Sequence, residues 1–223
     1  MYAPNQFHEE RRDVLLAAVR DIRLASIVSP TPEGLYATHA PVVAVEHGDQ
    51  LVLEFHVARQ NPHWKFAGPG SLIIFQGPQA YVHPGWYPSK AEHGKVVPTW
   101  TYVVVHAHGP LEVFDGEAEL RAHLDQLTGQ NEAQRDKPWA VSDAPENYIR
   151  TMMRGIVGLR MRVDRLEGSW KLNQHKTEPD RRGVQSGLSG EDHANAQSIA
   201  ALMRADEESR EARAAPSHEV NPT

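Results

Sequence analysis

The chain has 223 residues, 40% of them hydrophobic, a formal net charge of −6, thirteen histidines and no cysteine. That length and apolar content support one large domain, or one domain with an appendage. The absent cysteines exclude disulfides and thiolate metal sites, and the acidic total argues against a broad phosphate-binding face. No apolar run reaches membrane-spanning length. The opening MYAPNQFHEERRD lacks a cationic start followed by an apolar segment, so no signal peptide is expected and the cytoplasm is the default compartment.

Taken in order, residues 8–22 read as a helix. Val14, Leu15, Ala18, Val19 and Ile22 recur at helical spacing, behind a polar first turn. Residues 24–29 form a short strand, and Pro30, Pro32 and Gly34 turn the chain. Residues 35–45 form a second strand interrupted at Pro41, which has no donor for a ladder. Residues 50–57 form a third, so the chain opens as an antiparallel meander. Asn61 can cap a helical turn over 61–66, with Pro62 at its first position. Residues 71–76 form an apolar strand that Gly77-Pro78 breaks, and 80–83 a further short strand.

The stretch from Tyr81 to His108 organises the chain. Its first half is a loop, 84–95, carrying Trp86, Tyr87, Ser89, Lys90, His93 and Lys95. Its second half opens the longest strand, 96–114, bent at Gly109-Pro110. Loops rich in aromatic, hydroxyl and cationic groups beside a strong strand are common binding sites. An amphipathic helix over 117–130 and a second helix over 146–154 follow. Residues 157–166 alternate as a strand buried on one face, 168–175 form an aromatic and basic tail to it, and 178–186 a short helix. Beyond Ser189 the composition turns to Ala, Glu, Asp, Arg and Ser. The division is therefore a domain over 1–188 and a polar C-terminal tail over 189–223, partly helical or disordered. The expected class is mostly β with peripheral helices, a small antiparallel barrel rather than a doubly wound sheet.

The motifs of dinucleotide, triphosphate, zinc-protease and serine-hydrolase sites are all absent. His106 and His108 share one face of a strand, a possible metal pair. His83 or His93 could complete it, but with no obvious third ligand or carboxylate in register the pair is read as packing in the barrel or lying at a dimer contact, and no metal is expected. A phosphorylated aromatic cofactor fits better. Arg59, Asn61, Ser89, Lys90 and Thr99 offer what a phosphate requires, and Trp100, Tyr102, Gln76, His56 and Trp170 what a flat heteroaromatic ring requires.

The stretches HVARQNPHW, IFQGPQAYVHPGWYPSKAEHGKVVPTWTYVVVHAHG, PWAVSDAP and RLEGSWKLNQHKTEPDRRGV closely resemble the PaiB family. Its members are FMN-binding proteins regarded as negative transcriptional regulators of protease synthesis and sporulation. The resemblance runs from MYAP to about Leu188. It implies a six-stranded antiparallel FMN-binding split β-barrel, with FMN as cofactor and a homodimer carrying two flavin sites at its interface. It implies Thr38, His39 and His56 as ring or ribityl contacts, and the turn Ala58-Arg59-Gln60-Asn61 as the phosphate cradle. Gln76, Ser89 and Lys90 extend the polar side, Thr99 and Trp100 stand at the entry, and Trp170, Lys171 and Leu172 come from the partner subunit. The Arg/Lys pair of pyridoxine-phosphate oxidases is not evident, which sets that reaction aside. No catalytic acid or base is singled out; flavin-dependent redox activity is compatible with the resemblance.

Direct DNA binding is disfavoured by the acidic charge and the lack of a helix-turn-helix, with Arg181, Arg182 and the arginines of 160–165 as the nearest candidates. The competing expectation is a haem-binding or haem-degrading barrel, with His175 as ligand.

Overall fold

The computed structural model describes residues 1–214. A short strand, β1 (His8–Glu9), precedes helix α1 (Arg12–Ile22). The helix begins later than its periodicity suggests. Arg11 is extended at the N-cap, and both its N–H and its guanidinium bind the Glu9 carboxylate at 2.6–2.9 Å. Leu15, Leu16 and Val19 form its buried stripe.

Strands β2 (Leu24–Thr31) and β3 (Gly34–Pro41) make a hairpin in register from Leu24–Pro41 to Thr31–Gly34. Pro41 ends β3, as its missing donor requires, and β4 (Val43–His47) departs to another sheet. A turn at Gly48, φ 60°, leads to β5 (Gln50–Ala58), where Leu51, Leu53, Phe55 and Val57 are buried in strict alternation. Asn61 caps a 3-10 turn at Pro62–Phe66 through its side chain, as the sequence indicates.

Strand β6 (Ser71–Val82) runs straight through Gly77-Pro78. The expected break is absent because its register with β2 ends at Ser26–Ile74, so Pro78 lies beyond that ladder. The aromatic loop is compact, with a 3-10 turn at Pro84–Trp86 and helix α2 (Ser89–His93). Strand β7 (Thr99–Gly109) follows. Pro110 then separates it from β8 (Leu111–Phe114), which joins the other sheet, so the expected bend is a full break. Next come α3 (Glu117–Glu132), α4 (Glu146–Arg154), β9 (Ile156–Arg162), β10 (Arg165–Lys171), α5 (Glu178–Ser189) and α6 (Ala194–Ala214). The expected single strand over 157–166 and its tail are two strands, β9 and β10.

The strands form a six-stranded sheet, β1-β10-β7-β6-β2-β3, and a four-stranded sheet, β4-β5-β9-β8. The pairings β2–β3, β2–β6, β4–β5, β5–β9 and β8–β9 are all antiparallel. The class is mostly antiparallel β with helices, as expected, with the strands shared between two sheets. No helix among the described residues is long and apolar enough to cross a membrane.

The chain divides into two compact units, which β6, β7 and β10 each enter in turn. The first holds Met1, Glu9–Gln76 and Val104–Gly168. Within it Phe114, Leu120, Val141, Ile149 and Met153 form one cluster. Gly158 pairs with Phe114 across β8–β9, and a Cβ there would fall 2.3 Å from the Phe114 ring. Only glycine permits that approach.

The second unit holds Tyr2–His8, Gly77–Val103 and the chain from Ser169 onward. Its core joins Val82, Tyr87, Leu172, Val184 and Leu188 to Ala196, Ile199, Ala200 and Met203 of α6. The first part of the polar tail is therefore a helix with a buried face, which its composition conceals. The rest, from Ala215, lies outside the described residues.

Candidate functional site

Three groups of residues carry the chemistry. The first surrounds the turn after β5, in the first unit. Asn61 Oδ1 accepts from the His63 backbone N–H at 3.0 Å, and its Nδ2 donates to Thr38 Oγ1 at 3.2 Å. His63 is fully buried. Its ring bridges Thr38 Oγ1 at 2.9 Å and Ser29 Oγ at 2.9 Å, and Ser29 reaches Ser71 Oγ at 2.8 Å. Burial pushes the His63 pKa down, so the ring is neutral. Arg59 is held from behind: Nε and Nη2 donate to the carbonyls of Arg154 and Ile156, both at 3.0 Å. Its Nη1 stands 3.9 Å from Asp115, and the side chain is 43% exposed. Ala58 and His39 are exposed, with His39 Nδ1 3.0 Å from Ser26 Oγ. Gln76 is exposed on β6.

The second group lies under α3 in the same unit. His56 Nδ1 and His123 Nε2 are 3.0 Å apart. His123 is fully buried, its Nδ1 lacks a hydrogen-bond partner among the described residues, and Glu54 is 3.9 Å away. Burial first, then His56 and Arg160, push the His123 pKa down to about 4. At neutral pH its contact with Glu54 is therefore not an ion pair. Glu54 is balanced instead by Arg160, which also binds Glu119. His56 is thus engaged by another side chain.

The third group is in the second unit. Ser89 donates twice to the buried Asp180, from its backbone N–H at 3.1 Å and its hydroxyl at 2.8 Å. Leu172 is in the core and Trp170 packs against it. Lys171 Nζ donates to Thr99 Oγ1 at 2.9 Å and stands 5.8 Å from the centre of the Tyr102 ring. Lys90 is exposed and makes no ion pair among the described residues. Trp100, 52% exposed, meets Tyr81, 45% exposed, edge to face with centroids 6.0 Å apart. His175 packs edge-on against Phe7 at 5.4 Å. Tyr87 Oη, Ser169 Oγ and both amide atoms of Asn173 are buried without partners among the described residues.

The structure thus brings Thr38 together with Asn61, and Thr99 with Lys171. It engages Ser89, Leu172 and Trp170 in scaffolding. Sequence reasoning missed His63, His123 and Asp180 as fixing groups. Nothing in the sequence pairs Asp180 with Ser89, ninety-one residues earlier.

The family model described as "Putative FMN-binding domain" matches residues 1–165. Among relatives, "Protease synthase and sporulation protein PAI 2" of Bacillus subtilis is 29% identical over 205 residues, covering 91% of this chain and 96% of its own. An uncharacterised protein of Emericella nidulans is 33% identical over 226 residues, covering 84% of this chain and 90% of its own. A solved FAD- and haem-binding protein from Mycobacterium smegmatis superposes with a TM-score of 0.55 at 17% identity, over 74% of this chain and 73% of that one. That last likeness concerns the fold alone and agrees with a split β-barrel. The chain belongs to the FMN-binding family and is a homologue of PAI 2, the PaiB protein, with FMN as the cofactor that the family implies.

Proposed function

We propose that the protein is a homodimeric flavoprotein of the cytoplasm whose regulatory effect runs through bound FMN, and that it does not read DNA directly. The observation that carries this reading is the family match over residues 1–165. The residues present fit the cofactor's chemistry. A phosphate asks for fixed cations, and a heteroaromatic ring for exposed apolar faces with a few polar groups.

In the first unit, Arg59 fits the phosphate role. Two of its donors are tied to carbonyls, which fixes the guanidinium and leaves Nη1 on its exposed side. His39 and Gln76 are exposed polar groups suited to a ring or ribityl chain. In the second unit, Lys90 is an exposed cation with no ion pair among the described residues, and Trp100 with Tyr81 offers exposed aromatic surface beside Thr99 and Lys171. Bound FMN supplies the redox chemistry. The chain's own groups bind it, orient it and set the local electrostatics. Thr38, Asn61 and His56 act at one remove, by holding the turn after β5 and the strand itself.

Four of the five cations nearest to a DNA-reading role are already neutralised, while the exposed Arg162 makes no ion pair among the described residues. Arg181 binds Glu207 through two nitrogens at 2.6 and 2.8 Å, and Arg182 pairs with Glu178 and Glu211. Arg160 pairs with Glu54 and Glu119, and Arg165 with Glu167. Phosphate contacts need free cations.

FMN titration tests the reading. Losing one charge-assisted contact is worth about 1.5–3 kcal/mol, roughly 10- to 100-fold in affinity. Arg59→Gln is expected to weaken FMN binding by that factor. Wild-type affinity in Arg59→Gln, Lys90→Gln and Trp100→Ala alike would overturn the assignment of these residues. Sequence-specific DNA binding at physiological salt, lost on charge reversal of Arg181 and Arg182, would overturn the indirect role.

A further inference from the structure

Strand β7 alternates from Thr101 to Gly109, with Val103, Val105 and Ala107 buried and His106 and His108 on the opposite face. Residues two apart on a strand point the same way, and here the two imidazole centres are 6.2 Å apart. Neighbouring β10 supplies what the sequence did not reveal, a carboxylate beside the pair. Glu167 Oε2 lies 3.1 Å from His108 Nε2. One ligand atom from each of His106, His108 and Glu167 falls within 4.8 Å of the others, and all three residues are partly buried. All three belong to the first unit.

We propose that His106, His108 and Glu167 form a binding site for a divalent transition-metal ion of the zinc class, with a further position left for water or a small ligand. Two imidazoles and one carboxylate suit a borderline ion such as Zn2+ and are a poor set for Mg2+ or Ca2+, which take oxygen ligands. Donor atoms around a four-coordinate zinc stand roughly 3.3 Å apart, given ligand distances of about 2.0–2.1 Å. Small side-chain rotations close the observed cluster to that spacing.

A simple His–Glu ion pair accounts for His108 and Glu167 but not for His106, which makes no hydrogen bond among the described residues. Both oxygens of Glu167 are engaged in the ion-free chain. Its Oε1 is held by Arg165, while Oε2 receives the Met1 ammonium at 2.7 Å along with His108. A bound cation takes the ammonium's place at Oε2, so the charge of the carboxylate remains balanced. The residues are distinct from those assigned to FMN, and the site stands whether or not that assignment holds.

The test is zinc affinity of the full chain, freed of FMN and again loaded with it, by competition with a chromogenic chelator. The expected result is one Zn2+ per chain at micromolar affinity or tighter, undisturbed by millimolar Mg2+. His106→Asn and Glu167→Gln should each weaken it at least about tenfold. Co2+ added to the FMN-free protein should give visible d–d bands that His106→Asn abolishes. A zinc-induced rise in melting temperature should appear in the wild type and vanish in His106→Asn, whose side chain has no hydrogen bond to lose among the described residues. Absence of zinc binding at 100-fold excess over the chain would overturn the proposal. So would unchanged affinity and stoichiometry in both variants, which would place the ion among the other histidines.

Discussion

Gly187 in α5 lies under the Trp86 ring. A Cβ at that position would stand 2.3, 2.5 and 2.6 Å from Trp86 Cδ2, Cε2 and Cγ. Carbon atoms pack at about 3.5–4.0 Å, so Gly187→Ala forces the indole back by roughly 1 Å. The ring has little room to yield. It packs against the core of its unit, and the Trp86 carbonyl already occupies the place where a Gly183 Cβ would sit, at 2.1 Å. Two effects compete. Overpacking costs about 1–3 kcal/mol, while alanine in a helix returns about 0.8–1.0 kcal/mol over glycine. The clash wins, and the net loss is about 1 kcal/mol. Gly129 in α3 has nothing within 4 Å of its Cβ position, so Gly129→Ala should gain about 0.5–1 kcal/mol. The sign of Gly187→Ala should then reverse in a Trp86→Ala background. Urea unfolding followed by far-UV circular dichroism measures all three, through midpoints at constant slope. If Gly187→Ala stabilises the wild type as much as Gly129→Ala does, the docking of the aromatic loop on α5 is refuted.

Ile199→Ala should cost about 2–5 kcal/mol, because its side chain is fully buried in α6; a loss under 0.5 kcal/mol in the same assay would mean that α6 is not part of the core. Stability should fall as pH drops from 6.5 toward 4. The unfolded His123 takes up a proton near 6.5, while the folded ring, pushed down to about 4, does not. That difference is worth at most about 3 kcal/mol. His56 and His63, both pushed down by burial, add with the same sign; a His123→Leu variant with an unchanged slope between pH 6.5 and 4.5 would contradict the assignment. Ser89→Ala should cost about 1.5–3 kcal/mol at pH 7 by stripping a charged acceptor of its hydroxyl donor. Burial raises the Asp180 pKa, but the Ser89 bonds, with Thr177 and the Lys176 charge, together outweigh it and hold the carboxyl below its ordinary 3.8. That contribution is present above pH 3.8 and lost as pH falls through the folded value, so the cost should shrink in acid, as unfolding curves at pH 7 and 3 would show.

Local signals were the legible ones. The capped turn at Asn61-Pro62, the stop at Pro41 and the alternation of β5 each follow from a few adjacent residues. Non-local pairing was not legible. Gly77-Pro78 reads as a break until the register shows that β2 has already ended its pairing at Ile74. The composition of 194–214 reads as polar because α6 buries only a narrow stripe, Ala196, Ile199, Ala200 and Met203. The candidate site divides in the same way. Arg59 and Lys90 are exposed cations, as their residue types suggest, but Arg59 is already tied to two carbonyls and stands 3.9 Å from Asp115. Leu172 and Ser89 are claimed by a core and by Asp180, partners that no local pattern announces. Glu167 completes the His106–His108 pair only because β10 lies beside β7 in the sheet.

The central claim is FMN binding. The direct measurement is the visible absorption spectrum of the purified protein, as isolated and after FMN is added and washed away. The account predicts a retained flavin spectrum at one FMN per chain, with bands displaced from those of free FMN. A protein that stays colourless after washing and neither shifts nor quenches added FMN would contradict it.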